Sequence, residues 1–303
     1  METLIVKLDA TGDVVRTTSL LHRLRGQVTW LTAAKNMVVL DNIGEDLRCF
    51  SWEDRHQIPE IAYDLVINLE DRVDAAQFVR SLESKQFFGA YADAQNELSY
   101  TDDSREWFDL SIISRYGKLK ADTLKLRNRK TYQELVFEGL GFQFTGEAYL
   151  LPKPIHAELF GDVAIAAESG AVWPMKKWAY YNQLESRLEQ EGLVVNVLPK
   201  RSSLLEHLSD VQNHRCLVGG DSLPMHFALG SGTPCVTLFT CTSPWEIYDY
   251  GIQTKIVSSL LEEFFYKRCY DARATTAISV DEVFEAVMAQ LGRSVASARV
   301  VSI

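Results

Sequence analysis

The chain has 303 residues, 47% of them apolar and 24% charged, with a formal net charge of −10. That length suits two domains, each with its own core. The acidic balance argues against nucleic acid and anionic lipid surfaces as general partners, and no apolar run approaches the roughly 20 residues that span a bilayer.

The opening METLIVKLDATGD has no basic segment ahead of its apolar run and no small-residue cleavage site, so it reads as a strand rather than a signal peptide. TLIVKL as strand, DATGD as turn and VVRTTSLLHRLR as helix form the first unit of a doubly wound α/β fold. QVTWLT, MVVL and YDLVINL follow as further strands, and RVDAAQFVRSLES has helical spacing. Between 115 and 130 lies a basic run: Arg115, Lys118, Lys120, Lys125, Arg127, Arg129 and Lys130 against Asp122 alone. It reads either as a solvated face or as a patch that receives an anionic acceptor. KTYQELVFEGLG is a helix ending on glycine, where a left-handed cap is expected.

LLPKPIHAELFG, with Pro152 and Pro154, breaks the pattern and is the expected linker, placing domains at 1–152 and 153–303. Beyond it the cycle restarts: VAIAA as strand, SGAVWPMKKW as loop, then a helix running to about Glu191. LVVNVL, CLVGG and PCVTLF are strands, SSLLEHLSD is a helix between the first two, and VDEVFEAVMAQLG is the last helix. In such sheets ligands bind beyond the carboxyl ends of the strands, which singles out residues 9–13, 169–176 and 219–226. The five cysteines, Cys49, Cys216, Cys235, Cys241 and Cys269, are scattered and never form a C-x-x-C pair. This argues against a disulfide framework or a zinc site and for a reducing, cytoplasmic location.

Each of the three segments carries candidate chemistry. Asp13, after Gly12, starts the first helix: it is either a helix cap or a carboxylate kept ionised by the helix dipole and able to take a proton from a hydroxyl. ESGAVWPMKKW puts small residues and then lysines after a strand, a phosphate-compatible arrangement that an ordinary solvated lysine pair would also give. In GGDSLPMHFALGSGTP, Asp221 and Ser222 suit the cap of a helix beginning around Pro224, whose free amides would receive phosphate. His226 would then lie near a nucleotide or sit buried in the core.

Taken together these segments resemble glycosyltransferase family 9, the ADP-heptose heptosyltransferase family. The likeness runs through LIVKLDATGDVVRTTSLLHRLR, YDLVINLE, KTYQELVFEGLG, SGAVWPMKKW, GGDSLPMHFALGSGTPCVTLFTCTSPWEIYDYG and AISVDEVFEAV, in order. It implies a GT-B architecture, two Rossmann-like doubly wound domains facing a central cleft, with acceptor on the first and nucleotide-sugar on the second. It also implies inverting, metal-independent transfer of a heptose or related sugar from an ADP-sugar to an acceptor hydroxyl, with no cofactor. Asp13 matches the family's general base and Lys176 the lysine that stabilises the departing diphosphate. Asp221, Ser222, Leu223, Met225 and His226 match the donor block, and Gly12, Ser169 and Gly170 flank it.

Three departures accompany the resemblance. Only PKR joins LVVNVL to SSLLEHLSD, where the family has a longer stretch bearing an acid that recognises ribose. Leu223 stands where glycine is usual, and Cys241 where proline is frequent. Cys269 lacks the later cysteine that would complete an iron site. The expected acceptor is a lipopolysaccharide core, met at the periphery of the inner membrane, or else a soluble metabolite or a protein. A non-catalytic sugar-nucleotide binder and a transferase using another nucleotide-sugar are the alternatives.

Overall fold

The computed structural model of the chain describes residues 1–110 and 116–300, with side chains as far as 292; Arg115 of the basic run lies outside them. Two compact units, Met1–Lys153 and Pro154–Ile303, divide the chain.

The first unit contains β1 (Glu2–Val6), α1 (Thr11–Thr17), β2 (Gln27–Thr32), β3 (Leu47–Ser51), β4 (Tyr63–Asn68), α2 (Val73–Arg80), β5 (Ser84–Ala92), β6 (Leu98–Tyr100), α3 (Arg105–Asp109), α4 (Lys118–Arg127) and α5 (Tyr132–Gly139). Among the described residues its strands form one sheet in the order β3-β2-β1-β4-β5-β6. Every pairing is parallel except β5 with β6. Leu4, Val6, Leu31 and Val66 pack on Ala75 and Val79 of α2 with Trp52 and Tyr63, while Ile5 and Trp30 are buried as well. Burial on both faces is what makes these strands read as nearly unbroken apolar runs.

Two expectations fail here. MVVL is not a strand but part of a 3-10 segment, Ala34–Leu40; a four-residue apolar run does not distinguish the two. Asn36 fixes that segment by donating to the Leu8 carbonyl (2.6 Å) and accepting from the Thr11 hydroxyl (2.6 Å). The third strand is instead LRCFS, half-buried at the sheet edge and so weakly apolar. The first helix is also shorter than its pattern: it becomes 3-10 at Thr18–His22. The Thr17 and Thr18 hydroxyls bond back to the Asp13 and Val15 carbonyls (both 2.6 Å), a local competition that disfavours a longer α-helix.

The second unit contains β7 (Gly161–Ala166), α6 (Tyr181–Gln190), β8 (Val195–Val197), α7 (Leu204–Gln212), β9 (His214–Gly220), α8 (Leu223–Ser231), β10 (Cys235–Phe239), β11 (Gln253–Val257), α9 (Leu261–Phe264), α10 (Ala272–Thr276) and α11 (Val280–Val300). Its all-parallel sheet runs β11-β10-β9-β7-β8 among the described residues. Alternate residues of β7, β9 and β10 pack on Trp178, Tyr181, Leu184 and Leu188 and on Val283, Val287 and Leu291 of α11. Helices α7 and α8 lie together against β9. Both units are therefore doubly wound parallel α/β structures, as the sequence pattern indicated.

Each sheet has one place where successive connections leave in opposite directions. In the first, β1 is followed by β2 on one side and flanked by β4 on the other; in the second, β7 is flanked by β8 and β9. Such a switch point opens a crevice at the carboxyl ends of its two strands. Residues 7–13 and 69–70 border the first crevice, and residues 167–176 and 221–226 the second.

Helix α5 begins with a complete capping box, the Thr131 hydroxyl accepting from the Glu134 amide while the Glu134 carboxylate accepts from the Thr131 amide. Thr131→Ala is expected to lower stability by about 1 kcal/mol, read as a lower urea midpoint at unchanged m-value.

Candidate functional site

In the second unit, β7 and β9 end side by side, with Ala166 paired to Gly219. The two glycines closing β9 are demanded by closeness rather than by backbone angle. A Cβ on Gly219 would meet the Ala166 Cβ at 2.9 Å, and one on Gly220 the Lys176 carbonyl oxygen at 3.0 Å. The segment after β7 can therefore fold over the end of β9. Pro174–Lys176 is a 3-10 turn there, tied down by the buried Thr240 hydroxyl, which donates to the Met175 carbonyl at 2.6 Å.

This approach delivers the Lys176 ammonium to Asp221. Nζ donates to the Asp221 carbonyl at 2.6 Å and to its carboxylate at 3.1 Å, with the two side chains only 14% and 16% exposed. Burial would push the Asp221 carboxyl up, but the positive Lys176, the electrostatic influence of His226 and the Thr242 hydroxyl outweigh it and hold it at about 2. Asp221 is thus ionised throughout the neutral range, and Lys176 has a permanent counter-charge. An ammonium has three donors, and this pair occupies two directions of them.

Asp221 is consequently not the helix cap expected of it. Helix α8 begins one residue earlier than anticipated, at Leu223, with Ser222 in the cap position and Pro224 in the first turn. The Ser222 side chain makes no capping hydrogen bond; its hydroxyl donates back to the Gly220 carbonyl at 3.3 Å. The first amides of α8, at the strand ends, form the kind of helix start that attracts phosphate. Met225 and His226 are buried beneath it. Ser169 and Gly170 border the same crevice after β7, with open space around Gly170. Trp173 stands beside them, in edge contact with Tyr266 (5.2 Å between centroids) and under the Arg268 guanidinium (5.5 Å).

In the first unit the corresponding crevice holds a second charged cluster. The Glu70 carboxylate, just past β4, accepts from the Lys7 ammonium at 2.6 Å and from the Leu8 and Asp9 amides at 2.7 and 3.2 Å. Burial opposes the Lys7 charge, but Glu70, Asp13 and Tyr132 outweigh it and raise the lysine above its ordinary value. Asp13 lies in the first turn of α1 but does not cap it. The cap position belongs to Ala10, at φ 37°, without a side-chain bond. The Asp13 carboxylate pairs instead with Arg16, at 2.8 Å.

Lys7, Arg16, Glu70, Tyr132, Thr240 and Thr242 were not singled out from the sequence. Their only signal was position, one or two residues from the end of a predicted strand or inside a helix start. A cavity of about 730 Å³ in the first unit, bordered by Phe87, Tyr91, Arg80 and Arg105, includes none of the expected residues. The basic run is partly neutralised: Lys118 pairs with Asp122, Lys130 with Glu106 and Glu138, and Lys125 is buried. Among the described residues, no group of three or more histidine, cysteine or acidic side chains is arranged to hold a metal ion. No helix of the described residues is long and apolar enough to cross a membrane.

Residues 182–270 match the sequence model of glycosyltransferase family 9 (heptosyltransferase). The match is to the family that the resemblance named. The matched segment contains the Asp221–His226 block and the whole of β9, α8 and β10. No curated protein matches the chain. Among solved structures, Escherichia coli heptosyltransferase WaaC with ADP superposes with a TM-score of 0.62 at 15% identity, covering 96% of this chain and 100% of that one. A glycosyl transferase family 9 protein from Veillonella parvula gives 0.62 at 14%, with 96% and 97% covered. Escherichia coli ADP-heptose lps heptosyltransferase II gives 0.59 at 12%, with 97% and 99% covered. At such identities the structures establish the shared fold, that of the GT-B glycosyltransferases.

The depressed Asp221 carboxyl has a consequence for acid stability. Its folded value lies below the ordinary 3.8, so the stability it contributes is present above about pH 4 and lost as pH falls toward 2. Across that window the wild type is expected to lose roughly 2 kcal/mol more than Asp221→Asn, measured by urea unfolding at fixed pH steps.

Proposed function

We propose that the chain is a glycosyltransferase that moves a heptose, or a closely related sugar, from an ADP-sugar to an acceptor hydroxyl. One observation carries this reading. The start of α8, in the family 9 segment, lies beside a lysine paired with a largely buried aspartate, at the switch point of a parallel sheet. A crevice with helix amides and one fixed ammonium suits a diphosphate, and the departing diphosphate is the group that gains charge during glycosyl transfer. In this reading Lys176 neutralises that charge through its remaining donor direction, while Asp221 holds the ammonium in place. Amides near Ser222 and Leu223 receive phosphate oxygens, and Ser169 and Gly170 let the diphosphate approach the backbone closely.

Asp13 is the proposed general base. It takes the proton of the acceptor hydroxyl as the oxygen attacks the anomeric carbon from the side opposite the leaving diphosphate, so that the configuration inverts. The charge changes of this step are met by side chains, without a metal or cofactor. The short PKR connection between β8 and α7 lacks the family's ribose-reading acid. Arg201 of that connection is itself engaged by the buried Asp210 carboxylate at 2.7 and 3.0 Å. ADP, the family's nucleotide, is the first donor to test, and the missing acid makes UDP, GDP and dTDP the necessary comparison. A lipopolysaccharide core, a soluble metabolite and a protein are the acceptor classes to screen.

Thermal unfolding with each nucleotide decides the donor. A ligand at one hundred times its dissociation constant stabilises the folded state by about 2.7 kcal/mol. A shift with ADP and ADP-heptose is expected; a shift with another nucleotide alone overturns the ADP assignment and keeps the transferase. Asp13→Ala is expected to reduce turnover at least a hundredfold at nearly unchanged donor affinity. Lys176→Ala should weaken both. Unchanged turnover in Asp13→Ala removes Asp13 from the mechanism, and no shift with any nucleotide overturns the donor site altogether.

A further inference from the structure

Arg16 is an arginine in the second turn of a short helix, almost wholly buried, at a sheet end where burial of a cation is costly unless it is paired. Its guanidinium is 2.8 Å from the Asp13 carboxylate and lies 3.8 Å above the centre of the Tyr132 ring. The guanidinium side chain is 11% exposed and the carboxylate 32%. Tyr132 is in turn fixed at both ends. Its hydroxyl lies 2.7 Å from that of Thr17, which donates to the Asp13 carbonyl. Its backbone is the first residue of the capped helix α5. Burial pushes the phenol up to about 12, so it stays neutral.

We propose that Arg16, seated on the ring of Tyr132, is the positioning residue for the Asp13 base. The inference rests on the reading of Asp13 given above and adds what holds it. An aspartate in a first helical turn has several rotamers open to it, and as general base it must present one. A planar guanidinium fixes the carboxylate in direction, and the ring beneath fixes the guanidinium, which a flexible ammonium would not achieve. A guanidinium beside a carboxylate favours its charged form, the form that can accept a proton.

The remaining charged groups around Asp13 come from each neighbouring element. Lys7 at the end of β1 is positive and acts on Asp13 electrostatically. Glu70 past β4 is bound to Lys7 and to the loop amides. Asp9 in that loop pairs with Lys35 and Arg72, and the titratable but neutral Tyr132 faces the cluster from α5. Lys7 is bonded to Glu70 at 2.6 Å, whereas Arg16 is in direct contact with the Asp13 carboxylate at 2.8 Å.

Two measurements test this on the full chain. Carbon-13 NMR of protein labelled at aspartate carboxyls, with the Asp13 signal assigned through Asp13→Asn, reads its titration directly and requires no acceptor. Arg16→Gln is expected to move that midpoint to higher pH by about one unit, Tyr132→Leu to move it in the same direction, and Arg16→Lys to move it least. Release of ADP from ADP-heptose with water as acceptor gives the second readout. Arg16→Gln should lower kcat about tenfold at unchanged donor KM, and shift the acid limb of the profile upward with the NMR midpoint. An Asp13 midpoint and acid limb that stay in place in Arg16→Gln and Tyr132→Leu overturn the positioning role. Full turnover in Asp13→Asn is a different result: it removes the base, and with it anything for Arg16 to position. If Arg16→Gln does not fold, Arg16→Lys and Tyr132→Leu carry the same comparison.

Discussion

Both candidate crevices of this chain depend on strand order. A parallel sheet whose connections all ran one way would cover the carboxyl ends of its strands evenly, with nowhere for a ligand to enter. Here β1 and β4, and again β7 and β9, are neighbours whose following segments diverge, and the gap between them is lined by chain that has just left a strand. Polar groups held there cost little backbone disorder, because the strands behind them are anchored on both faces.

Within those gaps both units use the same electrostatic device, a lysine paired with a carboxylate out of solvent. Lys7 with Glu70 and Lys176 with Asp221 each combine an ion pair with hydrogen bonds to or from the backbone. Isolated, a buried pair contributes little net stability, since desolvation offsets the attraction. The backbone bonds change that balance by using the remaining lone pairs and donors. In the first unit they stiffen the β1–α1 loop; in the second they lock the 3-10 turn to the head of α8. A site that must meet developing charge gains from such rigidity, because no reorganisation is needed when the charge appears.

The fold was largely legible in the sequence, for a physical reason. Strands buried on both faces leave apolar runs, and helices on those faces leave a 3.6-residue period, so TLIVKL, YDLVINL, CLVGG and PCVTLF announce themselves. Edge strands do not. LRCFS and the β5–β6 hairpin mix apolar with polar residues because one side or end is wet, and MVVL imitates a strand while its burial comes from a 3-10 turn. The candidate residues were legible by position, since Asp13, Lys176 and the Asp221–His226 block all follow strands. Their partnerships were not: Arg16 with Tyr132 is 116 residues of separation folded into 3.8 Å. Nor does periodicity indicate that Asp221 turns toward a lysine instead of capping its own helix.

The cysteines carry a last implication. Cys216, Cys235 and Cys241 are buried in the second unit, Cys49 is half-buried in the first, and Cys269 is exposed. Burial also raises the thiols of all four that are covered, Cys49 and Cys235 to about 12 and Cys241 to about 11, so they resist alkylation twice over, by access and by the scarcity of thiolate. The chain therefore contains its own labels for opening. One thiol reacts in the native state, one reports the first unit, and three report the second, so that the order in which the units come apart can be followed by mass spectrometry without altering a residue.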